Sequence, residues 1–133
     1  MSKNLTFKFL FVAILAIALA IRLLPARNNN IYFTMDQGND AVHVREILHR
    51  HQILLKGPET GIAGFHHGPL WYYFISIGYL ATDGNPFGSV LMLILLNVAT
   101  TAILMIVIAR KVSQTAALTI GASLQFFWWF YNT

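Results

Sequence analysis

Apolar residues come in long blocks along this chain, separated by one polar stretch that holds nearly all of its chemistry. Phe9 to Ile21 is unbroken by charge, and adding Phe7 and Leu23-Leu24 around Lys8 and Arg22 gives residues 7–24 about the length of a tilted bilayer-crossing helix. Lys8 and Arg22 are expected to snorkel to opposite interfaces. Phe87 to Ala109 runs 23 residues without a formal charge and closes on Arg110-Lys111. Its polar members, Ser89, Asn97, Thr100 and Thr101, are small enough for helix packing. Thr115 to Tyr131 is a third, shorter candidate, ending in aromatics of the kind that sit at a membrane interface. Leu70 to Ala81 is apolar for 12 residues, which as a helix spans about 18 Å against a hydrocarbon core of about 30 Å. It is too short to cross. Residues 37–52 carry a helical period instead: Ala41, Val44, Leu48 and, further along, Leu55 share a face, with Arg45, Glu46, His49 and Arg50 opposite and Asp36 at the N-cap.

This pattern predicts an all-α, polytopic membrane protein with about three transmembrane helices, residues 7–24, 87–109 and 115–131. An outer loop over 25–86 carries interfacial helices at about 37–52 and 70–81. With Lys3 and Lys8 inside, the first span delivers Arg27 outside and the second returns Arg110-Lys111 to the cytoplasm, so the loop faces the extracytoplasmic side of the cell inner (plasma) membrane. Asn28-Asn29-Asn30 reads as the exit turn of the first span, and Asp83-Gly84-Asn85-Pro86 as the turn into the second. The start of the chain also fits a cleaved signal peptide, with Ala16-Ile17-Ala18 or Ala18-Leu19-Ala20 as the cut. Composition agrees with a membrane protein: 56% hydrophobic, 11% charged, mean hydropathy +0.59 over 133 residues. The net charge of +4 is dispersed, with no basic run, which argues against nucleic acid as a partner. The absence of cysteine excludes disulfides, thiolate metal sites and a cysteine nucleophile. Three spans enclose little room for catalysis, so the front part of a longer protein is expected.

Within the loop, Asp36, Asp40 and His43 fall within about 60° of one another on a helix, a polar stripe beside the apolar face. Both carboxylates have a structural alternative, as helix cap and as partner of the helix dipole. All five histidines belong to this loop, yet His43 and His49 point to different faces and the adjacent His66-His67 pair is not a usual zinc spacing. Carboxylates at Asp36 or Asp40 suit Mg or Mn better. Residues 56–69 hold four glycines and two prolines, either a plain surface connection or a turn that brings backbone N–H groups to a ligand. His66 and His67 can donate to a phosphate there, and the aromatics that follow can contact a lipid or a sugar face.

The order of Asp36-Gln37-Gly38-Asn39-Asp40-Ala41, Gly57-Pro58-Glu59-Thr60, His67-Gly68-Pro69-Leu70-Trp71-Tyr72-Tyr73 and Arg110-Lys111 resembles the amino-terminal part of a GT-C glycosyltransferase. That superfamily includes the protein O-mannosyltransferases and the lipid A aminoarabinose transferases. The resemblance covers nearly the whole chain and rests on the combination of pieces. Two positions depart from it: Gln37 stands where many members have a second acid, and Gly68 where a first proline is common. The resemblance implies sugar transfer from a polyprenyl-phosphate donor to an extracytoplasmic acceptor. It makes Asp36 and Asp40 the catalytic candidates, with Asp36 as the base. Gln37, Arg50, Lys56, His66 and His67 become candidates for the substrate and its phosphate. Besides the lipid-linked donor, membrane lipid is the expected partner. The alternative from a different class is a small non-enzymatic membrane subunit or scaffold that uses the loop as a docking surface. A transporter fragment has less support, because no ionisable residue stands at mid-span.

Overall fold

The structure, a computed structural model, describes residues 3–24 and 34–131, without the side chains of Lys3 and of residues 128–131. It is all-helical: α1 Lys3–Leu23, α2 Met35–Arg50, α3 Leu70–Ala81, α4 Phe87–Lys111 and α5 Gln114–Tyr131. Among the described residues, extended pairing is limited to one bridge between Glu59 and His66. The expected exit turn at Asn28-Asn29-Asn30 lies outside the described residues. Among the described residues, two helices are long and apolar enough to cross a membrane, α1 over Asn4–Leu23 and α4. Only 6% and 17% of their apolar stretches are buried, where the core helix of a soluble protein would be mostly covered. α5 is not among them, because Gln114, Thr115, Thr119, Ser123 and Gln125 dilute its apolar content.

The chain divides into two compact units. One contains α1, the part of α4 from Ile94 onward, and α5. Its helices meet through small residues: Ala18 and Ala117 are fully buried, and Gly121 lets α5 close on the buried side chain of Met105. Gln125 donates to the Thr101 hydroxyl, one turn from the Gly121 and Met105 contact, so α4 and α5 run antiparallel. Asn4 accepts from Gln114 at 3.1 Å, while Arg22 reaches the Gln125 carbonyl at 3.4 Å, so α1 and α5 run the same way. Arg22 departs from the expected outward snorkel. Its guanidinium turns back along α1 to the Ala18 carbonyl at 3.1 Å, since a helical side chain leans toward the N-terminus and a carbonyl partner waits there.

The other unit holds α2, α3 and the opening turns of α4. α2 starts earlier than its apolar period suggests, and its N-cap is Thr34, not Asp36. The Thr34 hydroxyl accepts the Gln37 N–H at 3.3 Å, and the Gln37 side chain accepts the Thr34 N–H at 3.0 Å, a capping box that satisfies two otherwise orphaned donors. The helix stops at Arg50 because His51 turns left-handed, at φ 51°. Leu55 therefore never joins the helix face assigned to it and is 81% exposed. Ala41 and Val44 do face inward, packing with Tyr72, Ile75 and Tyr79 of α3. Each fully buried large side chain of this cluster contributes about 1.5–3 kcal/mol. The turn after α3 places Asp83 and Gly84 at positive φ, and the Asn85 side chain caps α4 by accepting the Phe87 N–H at 2.9 Å. At this corner the Gly78 and Gly88 backbones are so close that a Cβ on either would collide with the other.

Candidate functional site

The N-terminal half of α2 presents the two candidate carboxylates in different states. Asp36 is the second residue of the helix, exposed, in the first turn where the helix dipole favours an anion. Asp40 lies one turn on, half-buried, and accepts a 2.7 Å hydrogen bond from the Trp71 indole. That bond joins the polar edge of α2 to α3 beside the apolar core, so Asp40 has a structural duty.

Beyond α2 the chain is extended and pinned at Leu54, whose N–H and carbonyl are both held by the Tyr73 hydroxyl at 2.9 and 3.1 Å. It then folds into a small hairpin. Gly57 donates to His67 at 2.9 Å, His67 to Pro58 at 2.8 Å and Thr60 to Phe65 at 2.8 Å, all through the backbone. The two arms close so tightly that a side chain at Gly57 would strike the Gly68 carbonyl, and Gly64 takes the reversing position at φ 82°.

Hairpin, extended segment and α2 enclose a half-open cleft of about 620 Å³. Its polar lining is Asn39, His43, Lys56, Glu59 and His66. Ile53, Leu54, Leu55 and Tyr72 make the apolar part. Two imidazoles thus line one space, each with one ring nitrogen committed. His66 Nδ1 lies 3.2 Å from the Gly57 carbonyl, which can only accept, so Nδ1 carries a proton and Nε2 is left for a ligand. His43 Nδ1 lies 3.1 Å from the Glu46 carboxylate, and its ring packs against Tyr72 with centroids 4.8 Å apart. Burial pushes the Tyr72 phenol above its ordinary value, and the negative charges of Asp40 and Glu46 push it the same way. Tyr72 therefore stays neutral in the folded unit. Its contribution to stability is complete below pH 10.0, the ordinary phenol value, and is lost as pH rises from there through the raised one. A Tyr72→Phe variant should show a shallower loss of stability above that pH in denaturant titrations.

Among the residues singled out by sequence, Lys56 and His66 come together in the cleft, and Asp36, Asp40, Gln37, Arg50 and His67 are not in its lining. Gln37 is spent on the capping box, and Arg50 sits exposed in the last turn of α2, where a cation complements the dipole. His67 holds the hairpin through its backbone, with an exposed side chain. Among the described residues no group of three or more metal-ligating side chains assembles. The sequence places His43 in the polar stripe with Asp36 and Asp40 and does not announce its place in the cleft. Its carboxylate partner three residues on was a legible signal, because such pairs share a helix face. The closure of the cleft by Ile53 and Tyr72 had no local signature. No known family, curated protein or solved structure matches this chain.

Proposed function

We propose that the chain belongs to a membrane glycosyltransferase that moves a sugar from a polyprenyl-phosphate donor to an acceptor outside the cytoplasm. The observation that carries this reading is the composition of the cleft, in which Lys56 and His66 share a wall with Ile53, Leu54 and Leu55. A cation and an imidazole beside apolar side chains suit a phosphate that carries a hydrocarbon tail. Ile53 and Leu55 are 80% and 81% exposed, so the apolar side of the cleft is open to such a tail. Asp36 stands outside the cleft lining, exposed two turns before His43 on α2, and in this reading takes the proton of an acceptor that approaches from that side.

In this reading α1 and α4 cross the membrane in opposite directions, with α2, α3 and the cleft on the outer side. What supports it is the pairing of Asn4 with Gln114, which sets the start of α1 beside the start of α5, three residues after Lys111. Lys8, Arg110 and Lys111 then gather toward one end, as the excess of cations on the cytoplasmic side requires. α3 lies in the outer interface with its exposed Leu70, Ile77 and Leu80 toward the lipid, while Tyr72 and Tyr79 turn inward to α2.

The test is transfer from a panel of polyprenyl-phosphate-linked sugars by the full chain in vesicles, with the cleft-disrupting Lys56→Ala as control. Turnover that falls in the variant supports the reading; binding of the lipid without turnover returns the chain to the scaffold class. The hydrogen bond at His66 adds a further expectation. Because Nδ1 already donates to Gly57, Nε2 is the ring nitrogen left to meet a phosphate oxygen. Calorimetry with methyl farnesyl phosphate measures that contact, and His66→Gln should weaken binding about tenfold.

A further inference from the structure

Lys56 and His66 account for a phosphate in the cleft, but a phosphate that departs from a sugar also gains charge on the oxygen it leaves with. The cleft holds one more group suited to that oxygen. His43 projects from the middle of α2 into the lining, its ring laid against Tyr72 and its Nδ1 held by the Glu46 carboxylate. His43 and Glu46 side chains keep 34% and 27% exposure, so the pair is reachable from solvent yet fixed on two sides. A carboxylate can only accept from Nδ1, which assigns the proton there and turns Nε2 toward other partners. The same arrangement, one imidazole nitrogen oriented by an acid and the other left for chemistry, is how a proton-transferring histidine is positioned.

We propose that His43 is the general acid of this cleft, protonating the phosphate oxygen as the sugar leaves it, and that Glu46 is its positioning residue. This rests on the sugar-transfer reading above. In the step, the acceptor hydroxyl oxygen bonds to the anomeric carbon and its proton passes to Asp36. The bond between that carbon and the phosphate oxygen breaks, its electron pair stays on the oxygen, and His43, acting as the imidazolium with Nδ1 still bonded to Glu46, moves its Nε2 proton onto it. Asp36 then gives its proton to water and His43 takes one back, so the cycle consumes none. Lys56 and His66 steady the charge that remains on the phosphate.

Several charged groups surround the ring. Glu46 and Asp40 stand on α2 itself, Tyr72 faces it from α3, and Lys56, Glu59 and His66 share the cleft from the loop. Tyr72 is held neutral, and Glu46 is the one that touches His43, so removing its charge isolates the pair from the rest.

Two measurements on the full chain in phosphatidylcholine vesicles test the assignment. In the first, diethyl pyrocarbonate labels unprotonated imidazoles and mass spectrometry reads each site. Decaprenyl phosphate at about four times its Kd should slow labelling of His43 about fivefold and leave the exposed His49 and His51 unchanged. Glu46→Gln should remove that protection and Glu46→Asp should restore part of it. In the second, His43→Gln should lower kcat for a decaprenyl-phosphate-linked sugar about a hundredfold and erase the alkaline limb of the pH profile. The same variant should act normally on the corresponding glycosyl fluoride, whose leaving group departs without a proton donor. His43 labelled equally with and without the lipid, or a variant equally impaired on the fluoride, overturns the assignment. Transfer by the wild type without protection of His43 leaves sugar transfer standing and removes the acid. Protection without any transfer keeps the phosphate-facing imidazole and removes sugar transfer.

Discussion

Asp36→Asn is expected to cut sugar transfer by about a hundredfold to ten-thousandfold, the range a positioned general base supplies, with little change in the stability of the fold. The separation of the two effects follows from where Asp36 stands. It is exposed, and the capping of α2 is carried by Thr34 and Gln37 without it. Its contribution to the helix dipole is worth about 0.3–1 kcal/mol at an exposed site. Asp40→Asn is the companion: the amide oxygen still accepts from Trp71, so the bond survives as a neutral one and the α2–α3 contact persists. Rates for the two variants, read beside their denaturation curves, check the assignment. Transfer undiminished in Asp36→Asn but lost in Asp40→Asn would move the base one helical turn.

A stability loss of about 3 kcal/mol is expected for Gly78→Ala, at the upper end of what overpacking usually costs. The added Cβ would meet the carbonyl of Gly88, a backbone atom fixed by the opening turn of α4. Neither partner can swing aside, so the corner must open, and with it the burial of Tyr79 one residue on. Gly121→Ala is the informative contrast. There the new methyl would meet the side chain of Met105, a flexible thioether that can repack, and the cost should be nearer 1 kcal/mol. Thermal unfolding of both variants in detergent ranks them. Equal losses would show that the tight approach of Gly78 and Gly88 does not hold the corner.

The helices were legible in sequence because each carries its own period or its own apolar run. Ala41 and Val44 face inward as their spacing requires, and α3 occupies the segment from Leu70 to Ala81 marked out by its apolar residues. What sequence missed depends on choices between competing local chemistries. Asp36 and Thr34 are both good N-caps, and the reciprocal bond from Gln37 decides for Thr34. Nothing near His51 announces a left-handed residue, since the usual marker, glycine, is absent there. Leu55 consequently lies beyond the end of the helix whose face its spacing fits. Of the site, Lys56 and His66 were visible as residue types, but their meeting with His43 depends on the hairpin bending back toward α2. That closure comes from long-range contacts, the Tyr73 hydroxyl on Leu54 and the backbone bonds of Gly57 and His67. Neither pair is adjacent in the chain, so no local window contains the information.

The reciprocal cap at the start of α2 also bears on the charge at position 37. Glutamate and glutamine have nearly the same shape and present the same kind of oxygen to the Thr34 amide, so either one closes the cap. A negative charge at position 37 would add to the helix only what a first-turn anion supplies, about 0.3–1 kcal/mol, so its larger consequence would fall on the electrostatics of the neighbouring acid.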